Sequence, residues 1–180
     1  MKRIVIIGPE STGKSTLCRQ LAAYYNTVWC PEFAREYLLK HGMTYTYSDL
    51  DNIAHGQIKL VEKLAAEARN DLYFIDTDLY VMKVWYEVAF GACPTWILKA
   101  IARTHCDLYL LCNIDLPWTK DELREYPDLA IRQKLFKMYK DILINSGVRW
   151  VEIRGANEER LQMAVSSISR LTSCSPPSEM

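Results

Sequence analysis

The chain has 180 residues, 49% of them hydrophobic, and its 22 basic and 22 acidic residues give a formal net charge of zero. That length supports a sizeable core, and the strictly alternating strand and helix signals argue for one domain over residues 1–171 rather than two. The charge balance leaves no electrostatic footprint for duplex nucleic acid or an anionic membrane surface, so a small molecule is the expected partner. Cysteines at 18, 30, 93, 106, 112 and 174 form no C-x-x-C pair and no Cys/His cluster at zinc spacing, and they read as reduced core thiols.

The first expected strand, residues 3–7, holds the apolar run Ile4-Val5-Ile6-Ile7, which stops at Gly8. It is too short for a secretory segment or a membrane span, so a cytoplasmic location is expected. Residues 8–15, Gly8-Pro9-Glu10-Ser11-Thr12-Gly13-Lys14-Ser15, then match the phosphate-loop pattern G-x-x-x-x-G-K-[ST] at every fixed position. Glycines let backbone N–H groups approach anionic oxygens, Lys14 brings a point charge to the β- and γ-phosphates, and the Ser15 hydroxyl suits Mg²⁺. A helix starting near Gly13 adds its positive end. The expected ATP-binding set is therefore Gly8, Glu10, Ser11, Thr12, Gly13, Lys14, Ser15 and Thr16. Glu10 is unusual among phosphates: either a metal or a cationic substrate offsets it, or it turns to solvent.

Further short apolar strands are expected at 27–30, 72–76, 107–112 and 149–153, each with the unbroken hydrophobicity of a parallel strand buried on both faces. A helix over about 49–69 carries Ile53, Leu60, Val61, Leu64 and Ala68 on one face, with Ser48 and Asp51 as its capping box. Another over about 128–145 turns Leu135, Met138, Tyr139, Ile142 and Leu143 inward and ends before Gly147. Strands separated by helices of this length mean right-handed crossovers and a doubly wound α/β sheet. Residues 172–180 lack periodicity and read as a frayed tail.

In such a sheet ligands gather outside the carboxyl ends of the strands, so the residues that follow each strand are the candidates for chemistry. The second strand is followed by Glu32 and Arg35, which could face one ligand together, though an ion pair on a loop needs no catalytic purpose. The third is followed by Asp76-Thr77-Asp78, with Asp76 suited to organising Mg²⁺ or accepting a proton and Asp78 mainly to capping the next helix. After the fourth comes a charged, proline-bounded stretch, about 115–134, that contains Trp118, Arg124 and Arg132 and reads as a lid. The signatures of a guanine-nucleotide switch, N-K-x-D and D-x-x-G, are absent from these strand ends. A compact P-loop fold with a lid favours in-line transfer of a γ-phosphoryl group to the hydroxyl of a small molecule.

Taken together, the P-loop with its internal Glu10, the Glu32-Phe33-Ala34-Arg35-Glu36 segment, the Phe74-Ile75-Asp76-Thr77-Asp78 strand end and the Trp118 lid resemble the ribosylnicotinamide kinase domain of the bifunctional nicotinamide-mononucleotide adenylyltransferase and ribosylnicotinamide kinase family, over about residues 3–170. The resemblance implies a P-loop fold of the nucleoside and nucleotide kinase type and ATP-dependent phosphorylation of the 5′-hydroxyl of nicotinamide riboside for NAD salvage. It also implies that Lys14 and Ser15 serve phosphate and Mg²⁺, and that Asp76 or Glu32 orients or deprotonates the hydroxyl. Arg124 or Arg132 would be the lid cation, with Glu32, Arg35, Asp76, Asp78 and Trp118 around the substrate. Since the first expected strand begins at Arg3, no adenylyltransferase half is expected, and a stand-alone kinase or a retained fold with a changed substrate follows. The alternatives are a kinase for another nucleoside, nucleotide or metabolite, or an ATP-binding regulatory module. Oligomeric state is not legible.

Overall fold

A computed structural model describes residues 1–173. Five parallel strands, β1 (Lys2–Ile7), β2 (Trp29–Cys30), β3 (Leu72–Asp76), β4 (Leu108–Cys112) and β5 (Trp150–Ile153), lie in the order β2-β3-β1-β4-β5. Seven helices join them: α1 (Lys14–Tyr24), α2 (Phe33–His41), α3 (Tyr47–Ala65), α4 (Leu79–Phe90), α5 (Thr95–Arg103), α6 (Leu129–Ser146) and α7 (Asn157–Ser173). This is the doubly wound P-loop architecture expected from the sequence. All the strands run the same way, so their carboxyl ends share one edge, with β1 at its centre.

The sheet is apolar on both faces because successive side chains of each strand point to opposite sides and both sides are covered. On one side Ile4, Ile6, Phe74, Leu108 and Leu110 pack against Leu17 and Leu21 of α1 and Ala164, Ile168 and Leu171 of α7. On the other, Val5, Ile7, Tyr73, Ile75 and Leu111 meet Val84 of α4 and Leu135, Tyr139 and Leu143 of α6. A third cluster, with Leu38, Ile53, Met82, Tyr86 and Ile97, welds α2, α3, α4 and α5 into a unit beside the sheet.

Local differences from the sequence reading have local causes. Residues after the second strand are helical rather than loop, so Glu32 is the N-cap of α2 and Arg35 lies in its first turn. Helix α3 begins earlier than expected, and its capping box is Thr46 with Asp49 rather than Ser48 with Asp51. The side chain of Asp51 instead accepts from Tyr86 Oη (2.5 Å) and Trp96 Nε1 (2.8 Å), which ties α3 to α4 and α5. Thr172 and Ser173 of the expected tail belong to α7, and residues 174–180 lie outside the described part. Cys18, Cys30, Cys106 and Cys112 are buried free thiols, whereas Cys93 is only half-buried and so departs from the expected core placement; Cys174 lies outside the described residues. Among the described residues no helix is long and apolar enough to cross a membrane.

The capping box makes stability depend on pH. Hydrogen bonds from the Thr46 hydroxyl, from Tyr37 Oη and from the Thr46 backbone N–H hold Asp49 down from 3.8 to about 2. A carboxyl with a depressed folded pKa stabilises above its unfolded value, and that contribution disappears as pH falls through the folded value. The urea midpoint of the wild type should therefore exceed that of Asp49→Asn at neutral pH, and the gap should close as pH is lowered from 3.8 towards 2. A gap independent of pH would show that the ionised carboxylate contributes nothing.

Candidate active site

The phosphate loop leaves β1 at the middle of the carboxyl edge. Gly8 has φ 144°, and a Cβ there would stand 2.7 Å from the Cys112 carbonyl oxygen, so only glycine passes between the ends of β1 and β4. The loop is braced from within: the Thr12 hydroxyl donates to the Pro9 carbonyl (2.7 Å), as does Lys14 Nζ (3.0 Å). It is braced from below by Arg160 of α7, which is only 4% exposed. Its guanidinium donates to the carbonyls of Thr12 (2.8 Å), Asn113 (3.1 Å) and Gly155 (2.7 Å) and pairs with Asp115. Sequence reasoning missed Arg160, since a basic residue after Glu158 and Glu159 looks like any solvated helix face.

Asp76 ends β3 in register with Ile6 of β1, which puts it beside the loop. It is fully buried, and neither carboxylate oxygen has a hydrogen-bond partner among the described residues. Burial raises its pKa, while the Lys14 ammonium and the nearby Ser15 hydroxyl favour the ionised form. Glu32, partly buried, lines the adjacent cleft. Burial pushes it up, Lys14 pulls it down, the Asp76 carboxylate pushes it up again and Arg35 opposes. One ammonium thus faces two acids, an arrangement that a ligand with positive charge or hydroxyl donors completes. No group of three His, Cys, Asp or Glu side chains among the described residues could hold a metal by itself. Asp76 with Ser15 instead suits a divalent cation that takes its remaining ligands from phosphate and water.

The cleft has a volume of about 260 Å³ and is lined by residues 8–16 and Glu32 together with the apolar and aromatic Leu38, Trp85, Val88, Tyr126 and Tyr139. Its rim is the irregular connection between β4 and α6, residues 113–128, and Glu10 holds that connection down. Glu10 Oε1 accepts from Trp118 Nε1 (3.1 Å) and the Tyr126 N–H (2.7 Å), and Oε2 accepts from the Glu125 N–H (2.9 Å). Ser11 Oγ accepts from the Thr119 N–H (2.9 Å). Arg124 lines the cleft and donates to the Thr119 carbonyl. Arg132 of α6 is 3% exposed, and its Nε and Nη2 have no partner among the described residues. Burial lowers its pKa and the Glu10 charge opposes, and unlike Arg124 it is not one of the residues that line the cleft.

Several expectations are corrected. Asp78 turns away from the cleft: its carboxylate caps α4 through the Tyr80 N–H (2.9 Å) and accepts from Tyr109 Oη (2.6 Å). Trp118 serves the loop through Glu10 and is not part of the cleft wall, where Trp85, Tyr126 and Tyr139 supply the aromatic faces. Arg35 reaches the cleft, but its guanidinium forks onto Asp121 (3.0 and 3.2 Å) and so fastens α2 to the β4–α6 connection. Of the two expectations for Glu10, the turn to solvent is not met, because its carboxylate accepts three N–H groups of the β4–α6 connection. Glu10→Gln would set an amide N–H₂ against one of the N–H donors, so trypsin should cleave after Lys120 and Arg124 about tenfold faster than in the wild type, with little change in global stability. Equal cleavage rates would show that the three contacts do not restrain the segment.

Over 161 residues the chain is 29% identical to the trifunctional NAD biosynthesis/regulator protein NadR of Salmonella typhimurium strain LT2, covering 87% of this chain and 39% of that protein, so it spans well under half the relative's length. A NadR crystal structure in complex with NR superposes with a TM-score of 0.82 at 23% identity, covering 97% of this chain and 50% of that one. Thymidylate kinase from Ehrlichia chaffeensis shares the fold at a TM-score of 0.66 and 15% identity, over 94% of this chain and 98% of that one. Residues 3–160, from the start of β1 to the arginine that braces the phosphate loop, match the family model described as AAA domain, and the chain belongs to that family.

Proposed function

We propose that the chain is a small-molecule kinase that transfers the γ-phosphoryl group of ATP to the ribose 5′-hydroxyl of nicotinamide riboside, giving nicotinamide mononucleotide for NAD biosynthesis. The observation that carries this reading is the pair of under-compensated acids, Asp76 and Glu32, between a phosphate loop and an aromatic-walled cleft. A cationic pyridinium ring joined to a ribose diol supplies what those groups lack: positive charge, hydroxyl donors and a flat face for Trp85, Tyr126 or Tyr139. We take the NR bound by the structural neighbour as nicotinamide riboside, and that likeness supports the choice of acceptor.

In this mechanism the loop N–H groups and Lys14 bind the triphosphate. Asp76 and the Ser15 hydroxyl would hold Mg²⁺, which when bound neutralises charge on the β- and γ-phosphates. Glu32, at the cleft wall and with its pKa raised, accepts the proton of the 5′-hydroxyl as the new P–O bond forms and the bond to the β-phosphate oxygen breaks. Arg132, with Arg124 at the rim, neutralises charge on the moving phosphoryl group. The β4–α6 connection is the lid that excludes water from the transfer.

ADP release by the purified protein with Mg·ATP should be stimulated by nicotinamide riboside and not by thymidine, a nucleoside monophosphate or buffer alone. Stimulation by another acceptor would reassign the substrate, and hydrolysis without any acceptor would sink the kinase reading. Glu32→Gln should lower turnover about 100-fold or more while leaving nucleotide affinity within about twofold, on the scale of lost base assistance. Lys14→Ala should abolish both.

A further inference from the structure

A buried amide on α3 touches both segments that carry the acids. Gln57 is 4% exposed, and its Oε1 accepts from the Phe33 N–H (2.7 Å). Its Nε2 donates to the carbonyls of Pro31 (3.4 Å) and Thr77 (3.5 Å) and lies 3.5 Å from Cys30 Sγ. One side chain therefore grips the residues on either side of Glu32 and the residue after Asp76.

Three further features fit a clamp. Glu32 is the N-cap of α2, yet its side chain makes no capping hydrogen bond. An N-cap carboxylate ordinarily turns back to accept an N–H of its own helix. Gln57 supplies an acceptor to the first N–H of α2 from outside, and Glu32 keeps its carboxylate for the cleft. Next to it, Gly56 leaves no room for a side chain: a Cβ there would stand 2.0 Å from the Phe33 ring, so α3 presses directly on the turn that carries Glu32. On the other side Thr77 is held at φ 66°, a left-handed conformation that a β-branched residue adopts only when its surroundings impose it. The Thr77 N–H donates to the Ile6 carbonyl (3.1 Å), and Gln57 takes its carbonyl.

We propose that Gln57 is a positioning residue for phosphoryl transfer, fixing the spacing between Glu32 and Asp76 by bonding to both of their backbone segments. It touches neither the phosphate loop nor the acceptor cleft, so it acts only through those two acids. This role rests on the kinase reading above, but its structural core can be tested apart from it.

The test compares the wild type with Gln57→Met, which keeps length and volume without the amide, and Gln57→Glu, which keeps an acceptor for the Phe33 N–H but loses both donors. Three quantities are read: backbone hydrogen exchange over residues 31–36 and 76–78 by NMR, Mg·ATP affinity by calorimetry, and kcat and KM for nicotinamide riboside. In Gln57→Met, exchange at Phe33 should quicken about tenfold or more and kcat should fall about tenfold or more, with Mg·ATP affinity within about twofold of wild type. Gln57→Glu should restore protection at Phe33 while kcat stays low, because the Thr77 side of the clamp remains broken. Unchanged exchange at Phe33, or kcat and ATP affinity falling together with the folded fraction, would overturn the proposal. If the wild type itself shows no stimulation by nicotinamide riboside, the choice of acceptor fails, and the exchange data still decide whether Gln57 fixes the two segments.

Discussion

The buried guanidinium of Arg160 is paired at all three of its nitrogens, and that pairing ties the phosphate loop to its surroundings. Leaving such a charge unpaired costs several kcal/mol. Its partners come from three separate stretches: the phosphate loop at Thr12, the end of β4 at Asn113 and Asp115, and the turn before α7 at Gly155. Because one cation satisfies all three, the loop cannot shift without stranding the charge. Asp115 also accepts from the Gly155 N–H (2.7 Å), so the carboxylate is committed to the same junction. A loop that must present N–H groups to a triphosphate gains its rigidity from below, and the upper side stays open to ligand.

Above that platform, the capping of the adjacent helices falls to groups other than Asp76 and Glu32. At the end of β3 the helix-capping task falls to Asp78, and at the start of α2 a buried amide from α3 meets the first N–H. In each case the acid beside the loop is released from a structural task. Asp76 and Glu32 are consequently costly to the fold, since burial raises both and Lys14 is shared between them, with Arg35 helping only at Glu32. Strain of this kind persists where binding relieves it. Arg132 carries a cost of the opposite sign, with Nε and Nη2 buried and without a partner among the described residues.

Glu10 joins the two halves of this arrangement. A carboxylate inside a phosphate loop is electrostatically awkward, but three N–H donors from the β4–α6 connection neutralise it. The connection is fixed at its other side by the fork between Arg35 and Asp121, a partly exposed pair whose worth is geometric more than energetic. Loop, rim and α2 are thus one linked surface around the cleft.

The fold and the loop were legible in the sequence because both rest on local patterns. Short unbroken apolar runs meant parallel strands covered on both faces, and the fixed spacing of Gly8, Gly13, Lys14 and Ser15 meant a phosphate cradle. Asp76 could be singled out because it closes such a run. The partners of each side chain could not be read in this way, since Gln57, Arg160 and Glu10 act across 20 to 148 residues of sequence. Nor could the true capping box of α3, which depends on which of several eligible oxygens the packing turns towards an N–H, whereas Asp78 as a helix cap could. The sequence by itself determined the sheet, the loop and the strand-end acids, because periodicity and backbone geometry are local. Only the tertiary structure decided which polar groups are committed and which are left open, because hydrogen-bond satisfaction in a buried site is settled by whatever the fold brings within about 3 Å.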